Sequence, residues 1–158
     1  MARDSPDTRL RLAGVLGRAA QRASQRLGRG NGAVIGGKVA TLVCPDVLTR
    51  AAAGVPAVAV SGTNGKTTTT RLIATALETL GPVASNIHGA NLPNGVVSAL
   101  LAPHPAGVRL VAEIDERWLP AVMAQVSFRA VVLLNLSRDQ IDRMAEVRSN
   151  AVRWRAAL

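Results

Sequence analysis

The residues best placed to do chemistry form one string, Ser61-Gly62-Thr63-Asn64-Gly65-Lys66-Thr67-Thr68-Thr69. A short apolar run, Val55–Ser61, leads into it as a strand. A helical pattern leaves it, with Leu72, Ile73, Ala76, Leu77 and Leu80 on one face and a stop at Gly81-Pro82. A strand-to-helix turn leaves several backbone N–H groups unpaired at the helix start, and the helix dipole adds to their attraction for an anion. Gly62 and Gly65 let the backbone curl round a phosphate with no Cβ in the way. Lys66 is spaced to reach β- and γ-phosphates, and the Thr67 hydroxyl to bind magnesium, so ATP with Mg2+ is the ligand this turn suits. Val60 stands where the first glycine of the general G-x-x-x-x-G-K-[ST] loop would be, one departure from the common pattern.

Two further segments carry polar groups at strand ends. Val108–Ile114 is the next strand, with the carboxylate of Glu113 near its C-terminal end, where α/β sheets gather ligand groups. Glu113 is the second magnesium candidate, against the plainer reading of a solvated strand end. Arg129–Leu136 is expected to be a buried strand, and Asn135 at its end, like Asn91, is a weaker candidate for a substrate-side or structural contact. His88 and His104 are isolated beside glycine and proline and are read as surface residues. A single cysteine, Cys44, excludes an internal disulfide and any multi-cysteine metal site in this chain.

The elements that must position these groups follow from the apolar pattern. Nearly half of the 158 residues are apolar, yet there is one Phe and no Tyr. A core of Ala, Val, Leu and Ile suits a sheet covered on both faces. Strands alternate with helices at Gly65–Leu80, Asn94–Leu101, Glu116–Gln125 and Asp142–Leu158, which gives an α/β fold with a parallel sheet flanked by helices. Residues 1–54 are read as a basic helical and loop segment, and 55–158 as the nucleotide-binding unit. Within the first segment, residues 1–8 are expected to be a disordered tip, Gly28–Gly37 a loop and Lys38–Val43 a short apolar segment.

The formal charge of +9 is unevenly spread, for residues 1–50 hold nine basic groups against three acids. From Arg9 to Leu27, Leu12, Val15, Leu16, Ala19, Ala23 and Leu27 recur at helical spacing while Arg18, Arg22, Arg26 and Arg29 mark a second stripe. The simpler expectation is a helix that docks its apolar stripe on the domain and leaves the arginines in water. Contact with a membrane surface is the alternative. A nucleic-acid partner is not expected, because stacking aromatics are nearly absent and no recognition motif is present. No apolar run reaches the length of a membrane span.

The string Ser61–Thr69 resembles the ATP loop of the Mur ligase superfamily, in which Thr-Asn occupies the place of the extra glycine spacing. The resemblance covers roughly residues 9–158 and implies a P-loop NTPase-like central domain. The superfamily joins an amino acid or ammonia to a carboxylate through an acyl phosphate, so the chain is expected to be part of an ATP-dependent carbon–nitrogen ligase. It assigns the nucleotide to Gly62, Thr63, Asn64, Gly65, Lys66, Thr67, Thr68 and Asn135, the metal to Thr67 and Glu113, and catalysis to Lys66 and Glu113. Leu134-Asn135-Leu136-Ser137-Arg138-Asp139-Gln140-Ile141-Asp142-Arg143 is similar to a family segment that carries histidine where this chain has Gln140. An amide is a weaker metal ligand than imidazole, which puts a second metal site in doubt.

Together with His88-Gly89-Ala90-Asn91-Leu92 and the glycine-rich Gly32–Gly37, that departure is similar to the MurT type of ligase subunit. Such subunits work in peptidoglycan synthesis with a glutaminase subunit of the GatD type, amidating the D-glutamate α-carboxylate of lipid II to D-isoglutamine. The resemblance implies a cytoplasmic protein, at the inner face of the membrane if the basic helix touches lipid. It also implies an incomplete ligase, because the chain stops inside the central domain and lacks the four cysteines of the MurT zinc insertion; alone it is expected to be inactive. Another Mur-type amino-acid ligase, or a non-catalytic nucleotide-binding module, are the competing readings.

Overall fold

The computed structural model describes residues 6–28, 32–87, 91–137 and 144–157. Among them, four strands, β1 (Ala57–Ser61), β2 (Val83–Ser85), β3 (Arg109–Ile114) and β4 (Phe128–Leu133), form a wholly parallel sheet in the order β2-β3-β1-β4. Helices α1 (Pro6–Arg26), α2 (Ala33–Val43) and α3 (Val47–Ala52) precede the sheet. Helices α4 (Lys66–Glu78), α5 (Pro93–Leu101), α6 (Leu119–Met123) and α7 (Met144–Ala157) alternate with or follow its strands. The expected α/β architecture is therefore present. The strings His88-Gly89-Ala90 and Arg138–Arg143, including Gln140, lie outside the described residues.

Period-two alternation divides the sheet between two cores. On one face Leu110, Ala112 and Ile114 of β3 meet Ala57 and Ala59 of β1, with Val47 and Leu48 of α3, Val96 and Val97 of α5, and Leu119 and Val122 of α6. On the other, Val60 and Val111 pack beneath Ala74, Ile73 and Leu77 of α4. Glu113 lies two residues beyond Val111 and shares the α4 side. Leu110, Ile114 and Leu119 are fully buried, so truncating any one to alanine costs about 2–5 kcal/mol.

Three expectations are corrected by tertiary packing. The glycine-rich stretch is not a loop through Gly37, because α2 starts at Ala33 and takes in Gly36, Gly37 and the apolar segment after them. Glycine is a poor helix former, but here it lets backbones touch. A Cβ on Gly36 would lie 2.9 Å from the Gly17 carbonyl oxygen, and one on Gly37 would lie 1.9 Å from that of Asn94. Second, α1 begins at Pro6, within the expected tip, and it docks through the wrong stripe for the simple reading. Ala13, Gly14, Gly17 and Ser24 are buried, whereas Leu12, Val15, Leu16, Ala19, Ala23 and Leu27 are exposed. Arg18 is drawn into the docking as well, donating from Nη1 to the Leu101 carbonyl at the end of α5 (2.8 Å). Third, β4 is an edge strand with Arg129, Ala130 and Leu133 exposed, and not the buried strand that its apolar run suggests.

Candidate functional site

The turn between β1 and α4 is built from both sides. Gly62 has φ 144°, and a Cβ there would lie 3.0 Å from the backbone N and O of Asn135. Only glycine satisfies both the conformation and the close approach. Gly65 has φ 83° and stands at the N-cap of α4. At the start of a helix the N–H groups of Lys66, Thr67 and Thr68 have no carbonyl one turn earlier to bond. They are the donors an anion would meet.

The segment after β4 braces the turn from behind. Leu134 N–H donates to Ser61 O (3.0 Å) and Thr63 N–H to Asn135 O (2.7 Å). The Asn135 side chain accepts from Asn64 N–H (3.1 Å) through Oδ1 and donates from Nδ2 to Asn64 O (3.1 Å). Ser137 adds three contacts: its N–H donates to Thr63 Oγ1 (3.1 Å), its carbonyl oxygen accepts from Thr63 Oγ1 (3.3 Å) and its Oγ accepts from Asn64 Nδ2 (3.1 Å). Asn135, expected among the nucleotide-binding residues, thus spends its side chain on the turn. The N–H groups of Thr63 and Asn64 are spent on Asn135, which leaves the anion-facing donors nearer the helix.

In front of the turn a cavity of about 380 Å³ is lined by Thr63, Asn64, Gly65, Lys66, Thr67, Thr68, Asn91 and Glu113. Parallel pairing of β1 with β3 sets Val60 opposite Glu113. Ser61 Oγ donates to Ile114 O (2.8 Å), which holds the turn level with the end of β3. Asn86 clasps Glu113 on its other side, donating from Nδ2 to Glu113 O (2.7 Å) and accepting from Glu113 N–H (2.8 Å). Glu113 is itself 8% exposed.

The Lys66 ammonium folds back onto the turn. It donates to the carbonyl oxygens of Gly62 and Thr63, and Glu116 Oε2 stands 3.6 Å away. Glu116 carries no role in the sequence reading, although it follows Glu113 by three residues. Its backbone oxygen accepts from Trp154 Nε1 of α7 (2.9 Å), so the turn after β3 is held by the last helix. Ser61 and Ser137 lie in strings the sequence marks but, like Asn86, carry no role of their own there, since each acts through a partner distant along the chain. His104 Nε2 pairs with Ala99 O (2.6 Å), a structural contact at the end of α5.

The cavity offers hard oxygen donors, the Thr67 hydroxyl and the Glu113 carboxylate, beside helix-start amides and a lysine. Among the described residues no cluster of three or more His, Cys, Asp or Glu side chains could hold a metal alone. A magnesium ion retains waters and takes phosphate oxygens with one or two carboxylates, so this sparse donor set fits it.

The model of the Mur ligase middle domain matches residues 60–150. The chain is 36% identical over 135 residues to lipid II isoglutaminyl synthase (glutamine-hydrolyzing) subunit MurT of Staphylococcus aureus (strain N315), covering 84% of this chain and 31% of that protein. Similarity to the MurT subunit of Streptococcus pneumoniae is 37% over 137 residues, 84% of this chain and 30% of the relative. A UDP-N-acetylmuramoyl-L-alanyl-D-glutamate–2,6-diaminopimelate ligase of Pseudomonas syringae pv. tomato is 37% identical over 102 residues, 54% of this chain and 21% of its own. The chain spans less than a third of the length of these MurT relatives. No described helix is long and apolar enough to cross a membrane. With its middle-domain match and its parallel sheet carrying the loop and Glu113 side by side, the chain belongs to the Mur ligase family.

Proposed function

We propose that this chain supplies the ATP-binding half-site of an ATP-dependent carbon–nitrogen ligase of peptidoglycan synthesis, of the MurT type. The observation that carries the reading is the shared cavity of the Gly62–Thr68 turn and Glu113. In this reading the N–H groups from Gly65 to Thr68 receive the phosphates. Lys66 leaves the Gly62 and Thr63 carbonyls to pair with the β- and γ-phosphates, and Thr67 and Glu113 hold Mg2+. The metal supplies neutralisation of the charge that builds on the transferring group, where positioning and electrostatics dominate the barrier. Asn135 and Ser137 keep the turn in shape, and Asn86 and Ser61 keep Glu113 at its height.

The acceptor is the α-carboxylate of D-glutamate in lipid II. Ammonia from a glutaminase subunit forms the new C–N bond as phosphate leaves the activated carboxyl carbon. The MurT assignment is favoured over other Mur-type amino-acid ligases because MurT relatives match 84% of the chain, against 54% for the diaminopimelate ligase. A non-catalytic nucleotide-binding module would share the cavity but none of the turnover. Calorimetry of Mg2+-dependent ATP binding on the chain and on Lys66→Ala tests the half-site. Binding lost with the substitution supports it, and equal binding by both proteins removes it.

A further inference from the structure

The outward stripe of α1 is an apolar feature that the site leaves unexplained. Leu12, Val15, Leu16 and Leu27 are 49%, 55%, 40% and 71% exposed, and Ala19 and Ala23 between them are exposed too. At 3.6 residues per turn Leu12, Val15, Leu16, Ala19 and Ala23 form one stripe, turned about 120° away from the buried Ala13, Gly17 and Ser24, and Leu27 follows just past the helix end. Exposed Arg22 borders it on one side and exposed Arg9 on the other, and exposed Arg26 falls between Val15 and Ala19 in the last turn. Between Thr8 and Gly28 there is no acidic residue. A solvated helix face would carry polar residues along its centre; this one carries Leu12, Ala19 and Ala23 there, flanked by Val15 and Leu16, with arginines at and just inside its margins.

We infer that this face binds an anionic lipid surface, lying parallel to it. The stripe enters the boundary between headgroups and acyl chains while Arg9, Arg22 and Arg26 pair with headgroup phosphates. Charge argues against a second copy of the chain as the occupant. Pairing two such stripes would set Arg22 and Arg26 against their like with no carboxylate on the face to offset them. The inference is independent of the nucleotide site, which lies on another part of the fold and uses none of these residues.

The test is co-sedimentation of the full chain with vesicles of phosphatidylcholine alone and of phosphatidylcholine mixed with phosphatidylglycerol. Binding is expected to the mixed vesicles and to weaken as salt rises. Replacing Leu12 and Leu16 together by Gln should weaken it by roughly ten-fold or more, and Arg22→Gln with Arg26→Gln should weaken it as well. All four positions are exposed, so each variant should keep the parent's circular dichroism and unfolding midpoint. Undiminished binding by the Leu12/Leu16 variant would reduce the effect to diffuse attraction by a basic chain and overturn the inference. Failure of the parent to sediment would do the same. So would a dimer that the leucine changes dissociate while vesicle binding stays unchanged.

Discussion

Asn86 and Glu113 are joined by a closed pair of hydrogen bonds, side-chain amide to backbone, at 2.7 and 2.8 Å. β2 ends at Ser85, paired with Val111, so beyond that point no strand among the described residues lies beside β3 on this edge. The Asn86 side chain continues the ladder in place of a strand, and both residues are buried. Asn86→Ala should therefore leave the N–H and C=O of Glu113 unpaired in a dry setting. A loss of about 2–3 kcal/mol in stability is expected, measured as a lower urea midpoint at unchanged slope, with weaker Mg2+-dependent ATP binding.

Gly62 and Gly65 both have positive φ, but they differ in what a side chain would strike. At Gly62 the Asn135 backbone is 3.0 Å away, whereas at Gly65 the nearest atom is Leu134 Cδ1 at 3.5 Å. Gly65→Ala should cost about 1 kcal/mol, from conformation alone. Gly62→Ala should cost more, about 2–3 kcal/mol, and detach the Leu134–Ser137 brace. Chemical denaturation of the two variants gives the order, and equal costs would count against the close approach.

Glu116 holds the ammonium that phosphate would attract. Glu116→Gln removes that hold and one negative charge beside the cavity. Both changes favour an incoming anion. An affinity gain of about 0.5–1 kcal/mol for Mg2+-ATP is expected, roughly two- to five-fold, where Lys66→Ala should lose binding. Calorimetry at low and high salt checks the electrostatic origin, since the gain should shrink with salt.

Cys44 introduces a pH dependence away from the site. Burial raises its thiol pKa above the ordinary 9.0, and the hydrogen bond and charge of Asp46 add to this. A folded-state pKa above the unfolded one means that the native state keeps a proton the unfolded chain gives up. Its contribution is full below the unfolded pKa and is lost as pH rises through the folded one. Stability should decline above about pH 9, and Cys44→Ala should remove that part of the decline while costing about 1 kcal/mol at neutral pH.

Much of the architecture was legible because it is local. The apolar runs at Val55–Ser61 and Val108–Ile114, the helical run after Lys66 and the stop at Gly81-Pro82 need no distant partner to be recognised. The loop residues and Glu113 were legible for a related reason, since strand ends and helix starts are where a parallel sheet leaves backbone groups unpaired. The groups that hold them in place were not. Asn86 reaches across 27 positions, Asn135 across 71 and Ser61 across 53, and no spacing rule connects such pairs. The exposure of β4 was missed because an apolar run marks a strand without saying whether it lies inside the sheet or at its edge.

By itself the sequence determined that α1 would be amphipathic, that a phosphate-type turn would join β1 to α4, and that a carboxylate would end β3. Which stripe of α1 meets the domain was decided only in three dimensions. Periodicity shows that a helix has two faces, but the covered face is the one its neighbour can approach closely. Gly17 and Gly36 come so near that a Cβ on either would lie under 3 Å from the other's carbonyl oxygen. That backbone contact admits only small side chains, so Ala13, Gly17 and Ser24 turn inward and the leucines face out.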